Sequence, residues 1–159
     1  MFQDIFKALN LYRPYLGLCL LLFFAVSLSG CKKQNEPTEY WSHGITEITE
    51  DNYYNIFYGS REDPHWDYKG TLPAIVTFYI PGCPHCLALR PMMVQMTKDY
   101  KGKVLFYSIN AKNAVPLYKS KGIKKVPTVE FVSTNGTAKT IQKEDWTIEE
   151  LRDGIESIL

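Results

Sequence analysis

At 159 residues the chain has room for one folded domain and a short extra piece at an end. Its 18 basic and 17 acidic residues nearly cancel, and setting aside Lys7, Arg13 and Asp4 near the N-terminus leaves 16 of each, which gives no support to a nucleic-acid footprint. Four cysteines are few enough to be assigned one by one.

Lys7 and Arg13 give a basic start, Leu16 to Leu28 is a run of 13 mostly apolar residues, and Leu28-Ser29-Gly30 closes it with small ones. The run is too short for a comfortable membrane span, so a signal peptide is expected over residues 1–30. Leu28-Ser-Gly-Cys31 is similar to the lipobox of bacterial lipoproteins, which implies cleavage before Cys31 and lipidation of that residue. An uncleaved anchor is the alternative, and either one holds the folded part to a membrane outside the cytoplasm. Lys32, rather than Asp, after Cys31 favours the outer membrane in a cell that has one, with the domain on the periplasmic side. Residues 31–44 are then the lipidated Cys and a flexible tether, polar and proline-containing as far as Thr38. Tyr40, Trp41 and His43 are read as lying against the domain or the lipid interface.

The domain proper is expected over residues 45–159. Ile45 to Ile48 alternates and reads as a short strand, and Thr49 is a good N-cap for a helix over 50–58 whose Tyr53, Ile56 and Phe57 share a face. Residues 59–72 read as a charged loop in which His65, Trp66 and Tyr68 either contact a partner or anchor the loop. Ala74 to Ile80 is almost continuously apolar, as a central strand covered on both faces should be.

Pro81-Gly82 then turns the chain into Cys83-Pro84-His85-Cys86 at the start of a helix. Two thiols at the first and fourth positions of a helical turn lie on one face, close enough to form a disulfide with little backbone movement. Free N–H groups and the helix dipole favour a thiolate there, most of all at Cys83. His85, when protonated, adds a charge or a donor beside the same sulfur, and Pro84 falls in the first turn, where a missing N–H costs nothing. Cys83 is therefore the expected nucleophile and Cys86 the resolving thiol. Zinc would need a second ligand pair, for which only His43 and His65 could be recruited, so no metal is expected. Haem attachment would need His where Leu87 stands. A purely structural bridge around two residues would constrain the unfolded chain very little. Cys19 leaves with the signal peptide, so the mature domain keeps no stray thiol.

The helix carries Leu87, Leu89, Met92, Met93 and Met96, should kink at Pro91, and stops at Lys101-Gly102. A second buried strand follows over 104–109, then a short helix over 113–121 with Pro116 near its start and Gly122 at its end. A strand beginning at Val126-Pro127 runs to Phe131, and its partner over 137–142 follows across Asn135-Gly136, a hairpin signal. Thr147 and Glu150 form a capping box for a last helix whose Ile148, Leu151, Ile155 and Ile158 recur at helical spacing.

The Cys-x-x-Cys after a buried strand, Pro91 five residues on, Val126-Pro127-Thr128, the hairpin and the terminal helix together resemble the thioredoxin family over Ile45 to Leu159. The resemblance implies an α/β thioredoxin fold: a central mixed sheet of four to five strands flanked by helices on both faces. It also implies a cis Val126–Pro127 bond facing the cysteines, with Val126 offering backbone hydrogen bonds to an extended substrate. Pro84-His85 and Val126 are similar to the bacterial disulfide oxidase DsbA, although 40 residues between Cys86 and Pro127 leave no room for that family's inserted helical domain. Thr77 and Ser108 stand where thioredoxins keep a buried Asp and its Lys partner.

The chain is thus expected to be a membrane-tethered, extracytoplasmic protein thiol–disulfide oxidoreductase working by exchange at Cys83–Cys86. It would act as an oxidant in preference to a reductase and need no cofactor beyond that redox-active pair. Its partners would be cysteine-containing protein substrates and a membrane oxidase or electron donor. A lipid-anchored binding module or slow redox sensor, using the groove around Pro127, is the alternative.

Overall fold

The structure is a computed structural model that describes Trp41 and residues 43–62 and 65–159. The expected signal peptide, the lipidation site Cys31 and the tether up to Tyr40 lie outside the described residues. In chain order the elements are β1 (Thr46–Glu47), α1 (Glu50–Phe57), β2 (Ala74–Tyr79), α2 (Pro84–Asp99), β3 (Leu105–Asn110), α3 (Val115–Ser120), β4 (Thr128–Val132), β5 (Ala138–Gln142) and α4 (Ile148–Glu156).

The strands form one sheet in the order β1-β3-β2-β4-β5. β1, β3 and β2 run parallel, while β4 is antiparallel to both β2 and β5. All six residues of β2 are buried, which is why that stretch is apolar but for Thr77 and the Tyr79 hydroxyl. Alternation along β2 sends Ile75 and Tyr79 to one face and Val76 and Phe78 to the other. On the first face α2 and α4 pack Cys86, Leu89, Met93, Leu151 and Ile155 against the sheet. On the second, α1 and α3 supply Tyr53, Phe57 and Leu117.

Trp41 belongs to the first core: it is 1% exposed and meets Tyr79 edge to face at 5.5 Å between ring centroids. α4 settles closely on the sheet because Gly154 has no side chain; a Cβ there would stand 2.3 Å from the Phe131 ring. Its capping box joins Thr147 and Glu150 as the sequence suggests, and α1 has a second one in which Asn52 answers Thr49.

Boundaries shift where proline and edge position intervene. The strand expected from Val126 begins at Thr128, because Pro127 has no N–H to give a ladder. β1 holds only two paired residues at the sheet edge. α2 passes through Pro91 as a single element of 16 residues.

The second face also holds a buried charge. Glu130 in β4 is 1% exposed and accepts from Tyr53 Oη (2.7 Å) and Thr140 Oγ1 (3.1 Å), while Lys121 Nζ lies 2.6 Å from its carboxylate. Lys121 also donates to Tyr53 Oη at 2.7 Å and stands over the Tyr53 ring. Burial first, and the Glu130 carboxylate second, hold the Tyr53 phenol far above its ordinary value, so it stays a donor.

Candidate functional site

β2 delivers the chain to the site. After Tyr79, Gly82 takes φ 80°, a left-handed conformation suited to glycine, and Cys83 N–H closes the turn onto the Ile80 carbonyl at 3.2 Å. Cys83 is the N-cap of α2, with extended backbone and no capping bond from its side chain, and its carbonyl accepts the Leu87 N–H at 3.0 Å. Pro84 follows as the first helical residue, where the ring fits and no donor is lost. One turn in, Cys86 faces the core.

The two sulfurs are therefore in different surroundings. Cys83 is half-buried at the surface, whereas Cys86 is fully buried, and both are free thiols. Burial pushes the Cys86 thiol up to about 12, and hydrogen bonding to Cys83 adds to the rise against an opposing backbone contact from Ile80. With Cys83 half-buried at the surface and Cys86 fully buried, only the outer sulfur is open to a partner.

Across from the helix start, the Val126–Pro127 bond is cis, Val126 is half-buried and Pro127 buried. Cys83 Sγ lies 3.8 Å from the Val126 carbonyl oxygen. Thr128 Oγ1 donates to the Lys125 carbonyl at 2.7 Å and ties this loop to the start of β4. Cys83, Cys86, Pro84, Val126 and Pro127 thus come together around one sulfur.

His85 is held from elsewhere. Its Nδ1 lies 3.1 Å from Asp145 Oδ1, in the segment between β5 and α4, and both side chains are solvent-accessible. Sequence reading did not single out Asp145, and nothing local could have done so, since 60 residues separate it from His85. The charged run Lys143-Glu144-Asp145 was the only signal.

On the Cys86 side of the sheet no carboxylate is buried among the described residues; Glu47 of the edge strand β1, in register with Ser108, is exposed and accepts from Tyr79 Oη at 3.0 Å. Thr77 of β2 sits opposite Ser108 of β3 and Val129 of β4, each fully buried. Neither the Thr77 hydroxyl nor the Ser108 hydroxyl has a hydrogen-bond partner. Among the described residues the one buried carboxylate, Glu130, lies on the opposite face of the sheet. No cluster of three or more metal-binding side chains forms among the described residues.

Comparison with known proteins agrees with this geometry. The family model for thioredoxin matches residues 68–157. Thioredoxin of Borreliella burgdorferi is 26% identical over 92 residues, covering 58% of this chain and 79% of that protein. Chloroplastic thioredoxin M4 of Arabidopsis thaliana is 36% identical over 70 residues, covering 42% of this chain and only 36% of that protein. Among solved structures, thioredoxin F from spinach chloroplast superposes with a TM-score of 0.58 at 20% identity, over 73% of this chain and 94% of that one, which shows the shared fold.

Proposed function

The chain belongs to the thioredoxin family of thiol–disulfide oxidoreductases, and from that premise we propose that Cys83 and Cys86 exchange disulfides with protein substrates. The observation that carries this reading is the pairing of a surface Cys83, 3.8 Å from the carbonyl before a cis proline, with a wholly buried Cys86. In the oxidising direction a substrate thiolate attacks the Cys83 sulfur of the disulfide and Cys86 departs. A second substrate thiolate then attacks its own sulfur in the mixed disulfide, releasing reduced Cys83 and an oxidised substrate. In the reducing direction the Cys83 thiolate attacks the substrate disulfide, and Cys86 resolves the mixed disulfide after giving up its proton.

The oxidising direction is the one we favour, because Pro84-His85 lies between the cysteines and because Thr77 and Ser108 offer Cys86 no carboxylate to take its proton. Val126 and Pro127 would receive an extended substrate segment at the Val126 backbone. The lipobox at Cys31 supports a protein tethered on the outer side of a bacterial membrane, in the periplasm if there is one, recycled by a membrane oxidase or donor.

The deciding experiment is the equilibrium reduction potential of the pair in the full chain, held in mild detergent and titrated against glutathione. A potential near those of strong oxidants, about −120 mV, supports the oxidising role, and one near about −270 mV makes the protein a reductase. A pair that cannot be cycled leaves only a binding role. Cys86→Ala should trap a mixed disulfide on Cys83, visible on a non-reducing gel, and Cys83→Ala should trap none. A Cys31→Ser chain that still fractionates with membranes would defeat the lipid anchor.

A further inference from the structure

The loop that leads into Val126 is fastened by a side chain of the neighbouring strand. β4 and β5 pair in antiparallel register as far as Thr128 and Gln142, and Pro127 has no N–H with which to carry the ladder on. Beyond that pair the Gln142 side chain takes the ladder's place. Its Oε1 accepts the Lys124 N–H at 2.8 Å, and its Nε2 donates to the Gly122 carbonyl at 3.0 Å. A primary amide carries an acceptor and a donor side by side, so it offers the loop what a neighbouring peptide group would offer. Between these two points the Ile123 N–H donates to the Tyr118 carbonyl at 3.1 Å, and just after them Thr128 Oγ1 donates to the Lys125 carbonyl at 2.7 Å. The backbone is thus held at Gly122, Ile123, Lys124 and Lys125 in succession. The next carbonyl is that of Val126, 3.8 Å from Cys83 Sγ.

The segment that carries Gln142 is itself anchored. Trp146, four residues on, is 7% exposed, lies 6.3 Å from the Phe131 ring between centroids, and donates Nε1 to the Lys143 carbonyl at 3.0 Å. From within the same segment Asp145 meets His85 at 3.1 Å, so residues 142–146 touch both the helix start and the loop opposite it. The Lys125–Glu144 pair, at 3.9 Å and open to solvent at both ends, adds little to this hold. From the two-bond clamp on the loop we infer that Gln142 is the positioning residue of the substrate platform, keeping the Val126 peptide in place beside Cys83 so that an extended segment pairs with a loop already ordered. The inference rests on exchange at Cys83 with a substrate received at Val126, and it names the residue that sets how tightly that substrate is received.

Gln142 hydrogen-bonds to loop backbone, so its loss should act on binding and leave the reactivity of the sulfur alone. A loop released from the clamp must be ordered again at each binding event, which weakens the complex without altering the reacting atoms. A small disulfide that makes no backbone pairing at Val126 should be indifferent to the change. Met at position 142 keeps the length of the side chain and makes neither bond. Glu keeps an acceptor for the Lys124 N–H and, when ionised, sets a second bare oxygen against the Gly122 carbonyl.

The test sets the reduced full chain, in mild detergent, against two disulfide probes. One is dithiobis(nitrobenzoate), which offers no peptide; the other is a short uncharged peptide of Thr and Ser whose single cysteine carries thionitrobenzoate. With either probe the Cys83 thiolate bonds to one sulfur, and thionitrobenzoate leaves with the electron pair of the broken S–S bond, its colour giving the rate. Gln142→Met should raise the peptide concentration needed for half the limiting rate by about five- to tenfold, as expected for the loss of one or two net hydrogen bonds. The limiting rate, and the rate with the small probe, should stay close to wild type. Gln142→Glu should show the same split, so the result does not hang on the folding of one variant, and Lys139→Met, on exposed β5, should match the wild type. An unchanged half-saturation in both Gln142 variants, or an equal loss with both probes, would overturn the positioning role. A fluorescent form of the peptide with Ser for Cys separates this from the chemistry: Gln142-dependent anisotropy without reaction of either probe would keep the platform and defeat the exchange reading instead.

Discussion

The two faces of the sheet handle polarity in opposite ways. Under α1 and α3 the core encloses Glu130, paired with Lys121 and hydrogen-bonded to Tyr53 and Thr140. Under α2 and α4, where Cys86 is buried, the fully buried polar groups of the sheet are the uncharged hydroxyls of Thr77 and Ser108. A buried ion pair costs several kcal/mol of desolvation per charge and is held only by complete partnering. Here that partnering is placed on the side of the sheet away from the sulfurs. The lesson is that the Cys86 thiol is governed by burial rather than by a neighbouring charge, and four experiments press on that contrast.

The largest effect should come from breaking the charged face. Glu130→Ala strands Lys121 and Tyr53 and should destabilise the fold by about 3–5 kcal/mol in urea unfolding. The exchange rate per folded molecule should not change, and a loss of rate matching the loss of stability would show that the two faces are not separate.

Raising the pH should expose the other face. The Cys86 thiol is pushed up from its ordinary range to about 12, so the folded state holds this proton longer than the unfolded chain does. That contribution is fully present below the unfolded value and is lost as pH rises toward the folded one. Stability of the dithiol form should fall above about pH 9, by at most about 1.4 kcal/mol per pH unit. Cys86→Ala should lack this component, and parallel profiles for the two proteins would refute it.

Thr77→Val removes a buried hydroxyl that has no partner while keeping the side chain's shape. Stability should stay level or rise by about 1 kcal/mol, since an unpartnered buried hydroxyl is a cost. A clear loss on chemical denaturation would mean that the hydroxyl is satisfied in solution, for instance by a buried water.

The smallest change belongs to the solvent-accessible His85–Asp145 pair. His85→Pro should make the cysteine pair more reducing, and Asp145→Asn should shift its potential in the same direction by less, because exposed pairs contribute little. An unchanged potential in His85→Pro would remove the histidine from the chemistry.

What the sequence made legible was local. The Cys-x-x-Cys at a helix start, the Pro-Gly turn before it, the Asn135-Gly136 hairpin and the Thr147-Glu150 box each declare themselves within a few residues. The sheet could be placed because β2 is almost continuously apolar, as expected of a central strand covered on both faces. What stayed hidden depends on distant partners. Glu130 looked like one polar residue in a strand until Tyr53, 77 positions away, closed over it. Trp41 could equally have faced lipid until Tyr79 received it. The turn at His43 is met by Thr97 across 54 residues, a contact no local pattern announces.

The cap of α2 has one further consequence. Most helices begin on a side chain that ties down their first amides, but this one begins on a thiol that makes no such bond, followed by a proline with no amide to offer. The helix entrance is thereby left open to whatever covalent state the sulfur is in. If Cys83 exchanges disulfides as proposed, each step changes the group standing at that entrance, and the amides in the first turn of α2 are where hydrogen exchange would report it.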